Sequence, residues 1–271
     1  MHGEPLRPHD IDVTTPSVAR MYDYLLGGKD NYQADRNACE QLLKTAPSTR
    51  ELARNNRLFL QRVVRYLAVQ HGIDQFIDHG SGFPARENVH QVAQRVHPGA
   101  AVVYVDHDPV VIAHSRALLG SNEHTAVLHA DLRNTDLIFG HEDTRRLIDF
   151  SRPVAALFVS VLHCLRDEDQ PAKLMQNVIK RLAPGSCLVI CQLVSDQPQI
   201  REVVTSFMRR TTNNHWGRVR EESEVQAYFT GLDIIEPPGL VEVSTWMPDT
   251  DLAPRQKTFE WKVWGGVGIV P

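Results

Sequence analysis

The chain has 271 residues, of which 42% are hydrophobic and 23% charged with only 16 Gly and 16 Pro, a composition that excludes disordered, collagenous and disulfide-framework classes. At about 150 residues per domain the length allows roughly 1.8 domains, and 29 Lys and Arg against 33 Asp and Glu leave a net charge of -4 with no long basic run, which disfavours a nucleic-acid partner. The longest apolar stretches, such as Val154 to Val159, fall short of the ~18 residues of a membrane span, and the opening MHGEPLRPHD has no apolar signal core, so a soluble, cytoplasmic protein is expected.

Residues 1–16 are polar and broken by prolines, and read as an arm. Between Arg50 and Leu67 the positions Leu52, Phe59, Leu60, Val63, Val64 and Leu67 recur at helical spacing, which predicts a helix with one buried stripe that stops at His71-Gly72. Short apolar runs then alternate with helical segments: QFID at 75–78, AVVYVD at 101–106, HTAVLHA at 124–130, PVAALFVSVL at 153–162 and GSCLVICQLV at 185–194. That alternation predicts a parallel sheet of β-α-β units.

Two of the intervening helices carry boundary signals. Asp108 caps one, with Pro109 at its first position, Val111, Ile112, Leu118 and Leu119 as its buried face and Gly120 as its end. The other starts in the acidic RDEDQP and runs through Leu174, Val178 and Leu182 to Pro184-Gly185. Further on, helices are predicted at Arg201–Arg210 and Glu221–Phe229, and strands at DIIE, LVEVSTW and FEWKVWGGVGIV, which suit a sheet that finishes antiparallel. Cys39, Cys164, Cys187 and Cys191 form no C-x-x-C pair, and the last two share a strand, so reduced thiols are expected. The 13 histidines show no zinc-binding spacing, and no metal is expected.

The first strand ends in Asp78-His79-Gly80-Ser81-Gly82-Phe83-Pro84, with a helix expected from about Ala85. Gly80 and Gly82 remove side chains where a nucleoside could approach the backbone, although two glycines after a strand also make a plain tight turn. The third glycine of the dinucleotide fingerprint is missing and Pro84 removes an amide, which counts against NAD. Asp106, ending the second strand, stands where a Rossmann-like sheet binds ribose hydroxyls. Asp108 serves equally as a helix cap. Asp131-Leu132 after the third strand offers an acceptor for an exocyclic amine beside an apolar face, or simply a solvated loop acid. The fourth strand ends in Ser160-Val161-Leu162-His163, where His163 could take a proton from a nucleophile or could merely close the strand.

In combination these elements resemble the class I S-adenosylmethionine-dependent methyltransferases: D-x-G-x-G after strand one, an acid ending strand two, A-D-L after strand three, and ALFVSVLHCLRDED followed by LMQNVIKRLAPGSCLVICQL. More narrowly, ARMYDYLLGGKDNYQADR (Ala19 to Arg36), VVYVDHDPVV and FSRPVAALFVSVLH are similar to a bacterial family of such methyltransferases marked by the YDYLLGGKDNY element. The resemblance implies an α/β fold: a Rossmann-like, mostly parallel seven-stranded sheet with helices on both faces, plus an N-terminal helical cap. Residues 1–72 would form arm and cap, and residues 73–271 the methyltransferase-like domain.

The resemblance also implies S-adenosyl-L-methionine as cofactor, with Asp78, Gly80, Ser81 and Gly82 at its amino-acid end, Asp106 and Asp108 at the ribose, and Asp131 and Leu132 at the adenine. Ser160 joins this set, and His163 is the candidate catalytic residue. The Gly-Gly-Lys at 27–29 is no phosphate loop, because Asp23 and Asp30 replace its first glycine and its Ser/Thr. Tyr22, Tyr24, Gly28 and Lys29 are instead expected on a cap that shields the sulfonium. His79 and Phe83 depart from the usual residues of the first turn. The expected activity is methylation of oxygen, nitrogen or carbon on a small-molecule acceptor. A non-catalytic protein that binds the cofactor or its product is one alternative. A nicotinamide-dependent oxidoreductase is another, weakened by the absence of a Tyr-x-x-x-Lys pair.

Overall fold

The computed structural model describes residues 12–85, 87–119, 122–249 and 260–271. Three N-terminal helices, α1 (Val18–Leu25), α2 (Gln33–Thr45) and α3 (Thr49–Gln70), precede the first strand. Then β1 (Gln75–His79), α4 (Val89–Gln94), β2 (Ala101–Asp106), α5 (Pro109–Leu119) and β3 (Thr125–His129) build one half of a sheet. The other half comprises α6 (Thr135–Gly140), α7 (Glu142–Leu147), β4 (Ala155–Val159), α8 (Pro171–Ile179), β5 (Cys187–Val194), α9 (Pro198–Thr211), α10 (Glu222–Gln226), β6 (Asp233–Ile234), β7 (Val241–Glu242) and β8 (Lys262–Ile269).

The strand order is β3-β2-β1-β4-β5-β8-β6, with β7 pairing β8 off this path. The β1, β2, β3, β4 and β5 pairs are parallel, and β8 runs antiparallel to β5, β6 and β7. Seven strands form the expected path, and the two-residue β7 makes an eighth. The chain winds outward from β1 through β2 to β3, then returns to the other side of β1 as β4. Crossovers diverge at that reversal, opening a crevice beyond the carboxyl ends of β1 and β4.

Side chains alternate across the sheet and supply two cores. Phe76, Val102, Tyr104, Leu157, Val189 and Cys191 face one cluster with Phe59, Val63 and Leu67 of α3. Ile77, Val103, Val105, Phe158 and Ile190 face the other, with Ile138 of α6 and Leu174, Met175 and Val178 of α8. Met21, Leu25 and Leu42 of α1 and α2 belong to the first cluster, so the N-terminal helices share the core of the sheet.

Three local expectations are corrected. The helix expected near Ala85 begins at Val89, where the Asn88 side chain and Gln91 form a reciprocal capping box. On α5 the buried face is Val110, Val111, Ile112, Ser115 and Leu119, while Leu118 is 65% exposed. Positions 111, 115 and 119 form one stripe at four-residue spacing that drifts about 40° per step, which leaves 118 about 60° from its centre, at the edge of the buried face. The expected end of α5 at Gly120 lies outside the described residues, as do residues 1–11 of the arm and Phe259 of the last strand segment. LVEVSTW is a strand only at β7, because buried Arg62 of α3 donates to the carbonyls of Val243 (2.6 Å) and Trp246 (3.0 Å) and folds the segment into a turn.

The cap is fixed by one buried ion pair. Asp35 of α2, fully buried, accepts from Arg20 Nε at 2.9 Å, from the Ser17 N–H at 2.9 Å and from the Tyr32 N–H at 2.8 Å. Removing one member strands the other charge in the core, which typically costs about 3–5 kcal/mol. We therefore expect Asp35→Ala to lower the unfolding free energy in urea by about that amount. Arg20→Met combined with Asp35→Leu should cost less than either single change; an unaltered urea midpoint in Asp35→Ala would contradict this role.

Candidate functional site

A cavity of ≈ 670 Å³ opens at the carboxyl edge of β1, β2 and β4 and continues beneath the N-terminal helices. This size suits a drug-sized ligand. Asp78, Gly80, Ser81, Gly82, Asp106, Asp108, Asp131, Leu132, Ser160, His163 and Tyr22 all line it. Gly28 and Lys29 do not: both are exposed on the turn between α1 and α2. Asp23 folds that turn upon itself, accepting from the Asp30 N–H and the Asn31 amide, so the Gly-Gly-Lys segment points away from the crevice.

Gly80 and Gly82 have φ of +72° and +65°, a region that other residues adopt only under strain. A Cβ on Gly80 would lie 2.4 Å from Val161, while the corresponding position on Gly82 is open. The bare loop therefore packs against the end of β4 on one side and leaves backbone accessible on the other. Ser160 itself has φ of +60° and donates its N–H to Cys191 O at 2.8 Å. Such strain at a sheet edge is found where side chains are aimed at a ligand.

The acids sit in distinct environments. Asp106 Oδ2 accepts from the Gly82 N–H at 2.8 Å and Oδ1 from the Asp108 N–H at 2.9 Å, which ties the tips of β1 and β2 together. Burial raises its pKa, and those two backbone donors oppose the rise. Asp108 Oδ1 accepts from the Val110 N–H at 2.8 Å, the expected helix cap. Its Oδ2 accepts from Ser17 Oγ at 2.9 Å, joining the N-terminal segment to the sheet edge. Asp78, 5% exposed, is pushed up to about 7 by burial, with Arg57 of α3 opposing and Asp106 adding to the shift. Asp131 also feels burial, but hydrogen bonds from the Arg133 side chain and N–H hold it below the usual carboxylate range. Arg133 in turn reaches Asp169 at 2.8 Å, closing that side of the cavity.

His79 turns to the opposite face of β1 and stacks on Phe158, with ring centroids 4.2 Å apart. Burial lowers its pKa to about 4, so its unusual identity reflects packing outside the cavity. His163 is buried against Trp216 at 4.6 Å. Burial and the Arg220 cation push its pKa down to about 3, which makes it a poor resting place for a proton at neutral pH. Tyr22 donates to Ala53 O at 3.1 Å and accepts from the Asn56 amide at 2.7 Å, and burial raises its hydroxyl to about 12.

Several cavity residues carry weak sequence signals. Asn56 and Arg57 follow one another on α3, and Asn55 and Asn56 are buried polar residues interrupting an apolar stripe, a pattern that flags a helix face serving more than packing. Ser17, Met208, Trp216 and Trp261 reach the cavity through long-range folding. The four cysteines are free thiols, and burial raises each pKa. No described helix is long and apolar enough to cross a membrane.

The chain matches the S-adenosyl methyltransferase family over residues 5–271. It is similar to a candidate methyltransferase of Thermobifida fusca YX of known structure, at 39% identity and a TM-score of 0.87, covering 96% of each chain. It is also similar to a DUF574 family protein of Streptomyces avermitilis MA-4680, at 32% identity and a TM-score of 0.85, covering 96% of this chain and 99% of that one. A comparison with curated proteins finds no match. A bare loop after β1, an acid ending β2 and a reversal of strand order beside a cavity fit a nucleoside cofactor, and with these matches they place the chain in the S-adenosyl methyltransferase family, whose cofactor is S-adenosylmethionine.

Proposed function

We propose that this chain is an enzyme that transfers a methyl group from S-adenosylmethionine to a small-molecule acceptor. The observation that carries the reading is the continuity of the cavity, from the acidic sheet edge into an apolar chamber roofed by α1 and α3. Donor and acceptor would share one enclosed space, and holding reactants in line is worth on the order of 7 kcal/mol or more of barrier.

The residues take the following parts in this reading. Asp78 faces the ammonium of the amino-acid end, where Gly80, Ser81 and Gly82 present bare backbone. Asp106 accepts from the ribose hydroxyls, and the Asp108 cap fixes the approach of α5. Asp131, kept ionised by Arg133, accepts from the adenine amine beside Leu132. Ser160 shapes the turn at the end of β4, and Tyr22 forms part of the roof over the cavity. When bound, S-adenosylmethionine supplies a methyl carbon on a cationic sulfur: the acceptor's lone pair takes the carbon, the C–S bond breaks with its electron pair on sulfur, and the acceptor's proton goes to water.

Calorimetry with S-adenosylhomocysteine and NAD tests the cofactor assignment. We expect the former to bind and NAD to give no heat; tight binding of NAD alone would contradict the reading. Asp106→Asn should weaken S-adenosylhomocysteine about 10- to 100-fold, the range for a hydrogen bond to a charged acceptor.

The Asp78 carboxyl gives a second, pH-dependent test. The groups around it are Arg57 of α3, Asp106 of β2 and Tyr104, also of β2. Its pKa of about 7 means that it is largely protonated at pH 6 in the free protein, and binding an ammonium then requires loss of that proton. Affinity for S-adenosylhomocysteine, whose amino group stays protonated over this range, should accordingly rise about tenfold from pH 6 to pH 8 and then level. Asp78→Asn should abolish the slope; a slope that survives in that variant would remove Asp78 from the ammonium site.

A further inference from the structure

We propose that the acceptor is an uncharged aromatic alcohol, methylated on its hydroxyl oxygen and held through that oxygen by His163. The inference rests on the methyltransferase reading and extends it to the substrate class. It comes from how charge and hydrogen-bonding capacity divide between the two ends of the cavity.

The carboxylates that line the cavity are Asp78 and Asp106 at the ends of β1 and β2, Asp108, Asp131 and Asp169 on the segments beyond the sheet edge, and Asp12 on the N-terminal segment. None stands on α1, α3, α9 or β8, which wall the chamber under the roof. Of the cations that line the cavity, Arg20 is spent on Asp35 and on Thr15 O, Arg133 on Asp131 and Asp169, and Arg166 on Glu168. Arg57 donates to Glu87 O and to Asn88 Oδ1, and its charge acts on Asp78. An acceptor with its own formal charge would therefore lose its hydration without gaining a partner.

The uncharged polar side chains that α1 and α3 bring to the chamber are likewise committed. Tyr22 and Asn56 bond each other, Tyr22 donates to Ala53 O, Asn56 Oδ1 accepts from Cys191 Sγ at 3.0 Å, and Thr49 Oγ1 donates to Ala46 O at 2.6 Å. What remains is apolar: the rings of Trp216 and Trp261 beside Met208 and Met21, with Leu25, Leu52 and Leu60 around them. Rings and sulfur of this kind favour a planar aromatic body over an aliphatic one.

Two ring donors depart from this self-sufficiency: the buried Trp216 indole N–H, which has no partner among the described residues, and His163. His163 Nδ1 accepts from the Leu193 N–H at 3.4 Å, which leaves the proton of the neutral ring on Nε2, and no described residue accepts a hydrogen bond from that N–H. His163 follows Ser160 at the end of β4, where the cofactor half meets the chamber, so its donor stands at the junction where methyl transfer must occur. An oxygen nucleophile fits this donor better than an amine. Oxygen can accept from Nε2–H with one lone pair and use another on the methyl carbon, whereas a neutral amine has one pair and would lose it to the histidine. The role is that of a donor that stabilises developing negative charge on the oxygen; the hydroxyl proton goes to water, because the buried ring does not hold it.

The test is equilibrium binding to the protein saturated with S-adenosylhomocysteine, using 2-naphthol, 2-naphthoate and 2-naphthylmethylammonium as probes in calorimetry. We expect 2-naphthol to bind, with the carboxylate and ammonium analogues at least about tenfold weaker, in keeping with uncompensated burial of their charge. His163→Ala should weaken 2-naphthol by about five- to tenfold, the worth of one hydrogen bond, and leave S-adenosylhomocysteine affinity unchanged. His163→Gln, which keeps a donor, should recover part of the loss. Preference for either charged analogue, no binding of 2-naphthol to the cofactor-saturated protein, or equal 2-naphthol affinity in His163→Ala overturns the substrate assignment while the methyltransferase reading stands. Failure to bind S-adenosylhomocysteine overturns both.

Discussion

The buried carboxylate of Asp35 determines where the roof of the cavity stands. It gathers Arg20 from α1, the N–H of Ser17 at the start of α1 and the N–H of Tyr32 at the start of α2, so the two helices have one mutual arrangement that leaves no charge stranded. From that arrangement the rest follows. Ser17 is placed to donate to Asp108, Tyr22 to meet Ala53 and Asn56 of α3, and Met21 to enter the core beneath. A single ion pair cut off from water thereby helps set a helical roof over the sheet edge.

Enclosure changes the chemistry of the edge. Carboxylates that would be ordinary in water are distributed by their surroundings: Asp131 is held ionised by Arg133, and Asp78 is poised near neutrality by burial. The same dry setting keeps His163 neutral and lets its N–H act as a dipole of fixed direction. Preoriented donors of this kind stabilise a transition state without reorganising at the moment of reaction. Carboxylates gather at the sheet edge and most apolar surface under the helices, a division that follows from which elements supply each wall.

The five parallel strands are legible because they are short runs buried on both faces, and the acids at their tips because a carboxylate that ends such a run stands out against it. Agreement is close for β2, where AVVYVD is the whole strand, and for Asp108 and Pro109 at the head of α5. What escaped the sequence is set by partners far along the chain. Arg62 bends the LVEVSTW segment from more than 180 positions away, and Ser17 meets Asp108 across 91. The apolar richness of α5 hides which side meets the sheet, so its pattern points Leu118 inward although it faces solvent. Gly28 and Lys29 stand in a distinctive motif, and nothing in the sequence shows that Asp23 folds it into an exposed turn outside the cavity lining.

The most direct test of the central claim is a crystal structure of the complex with S-adenosylhomocysteine. The account predicts ribose hydroxyls on Asp106, the adenine beside Asp131 and Leu132, and the sulfur facing the chamber lined by Trp216 and His163. A ligand bound elsewhere, or in this crevice with its sulfur turned away from His163, would contradict it.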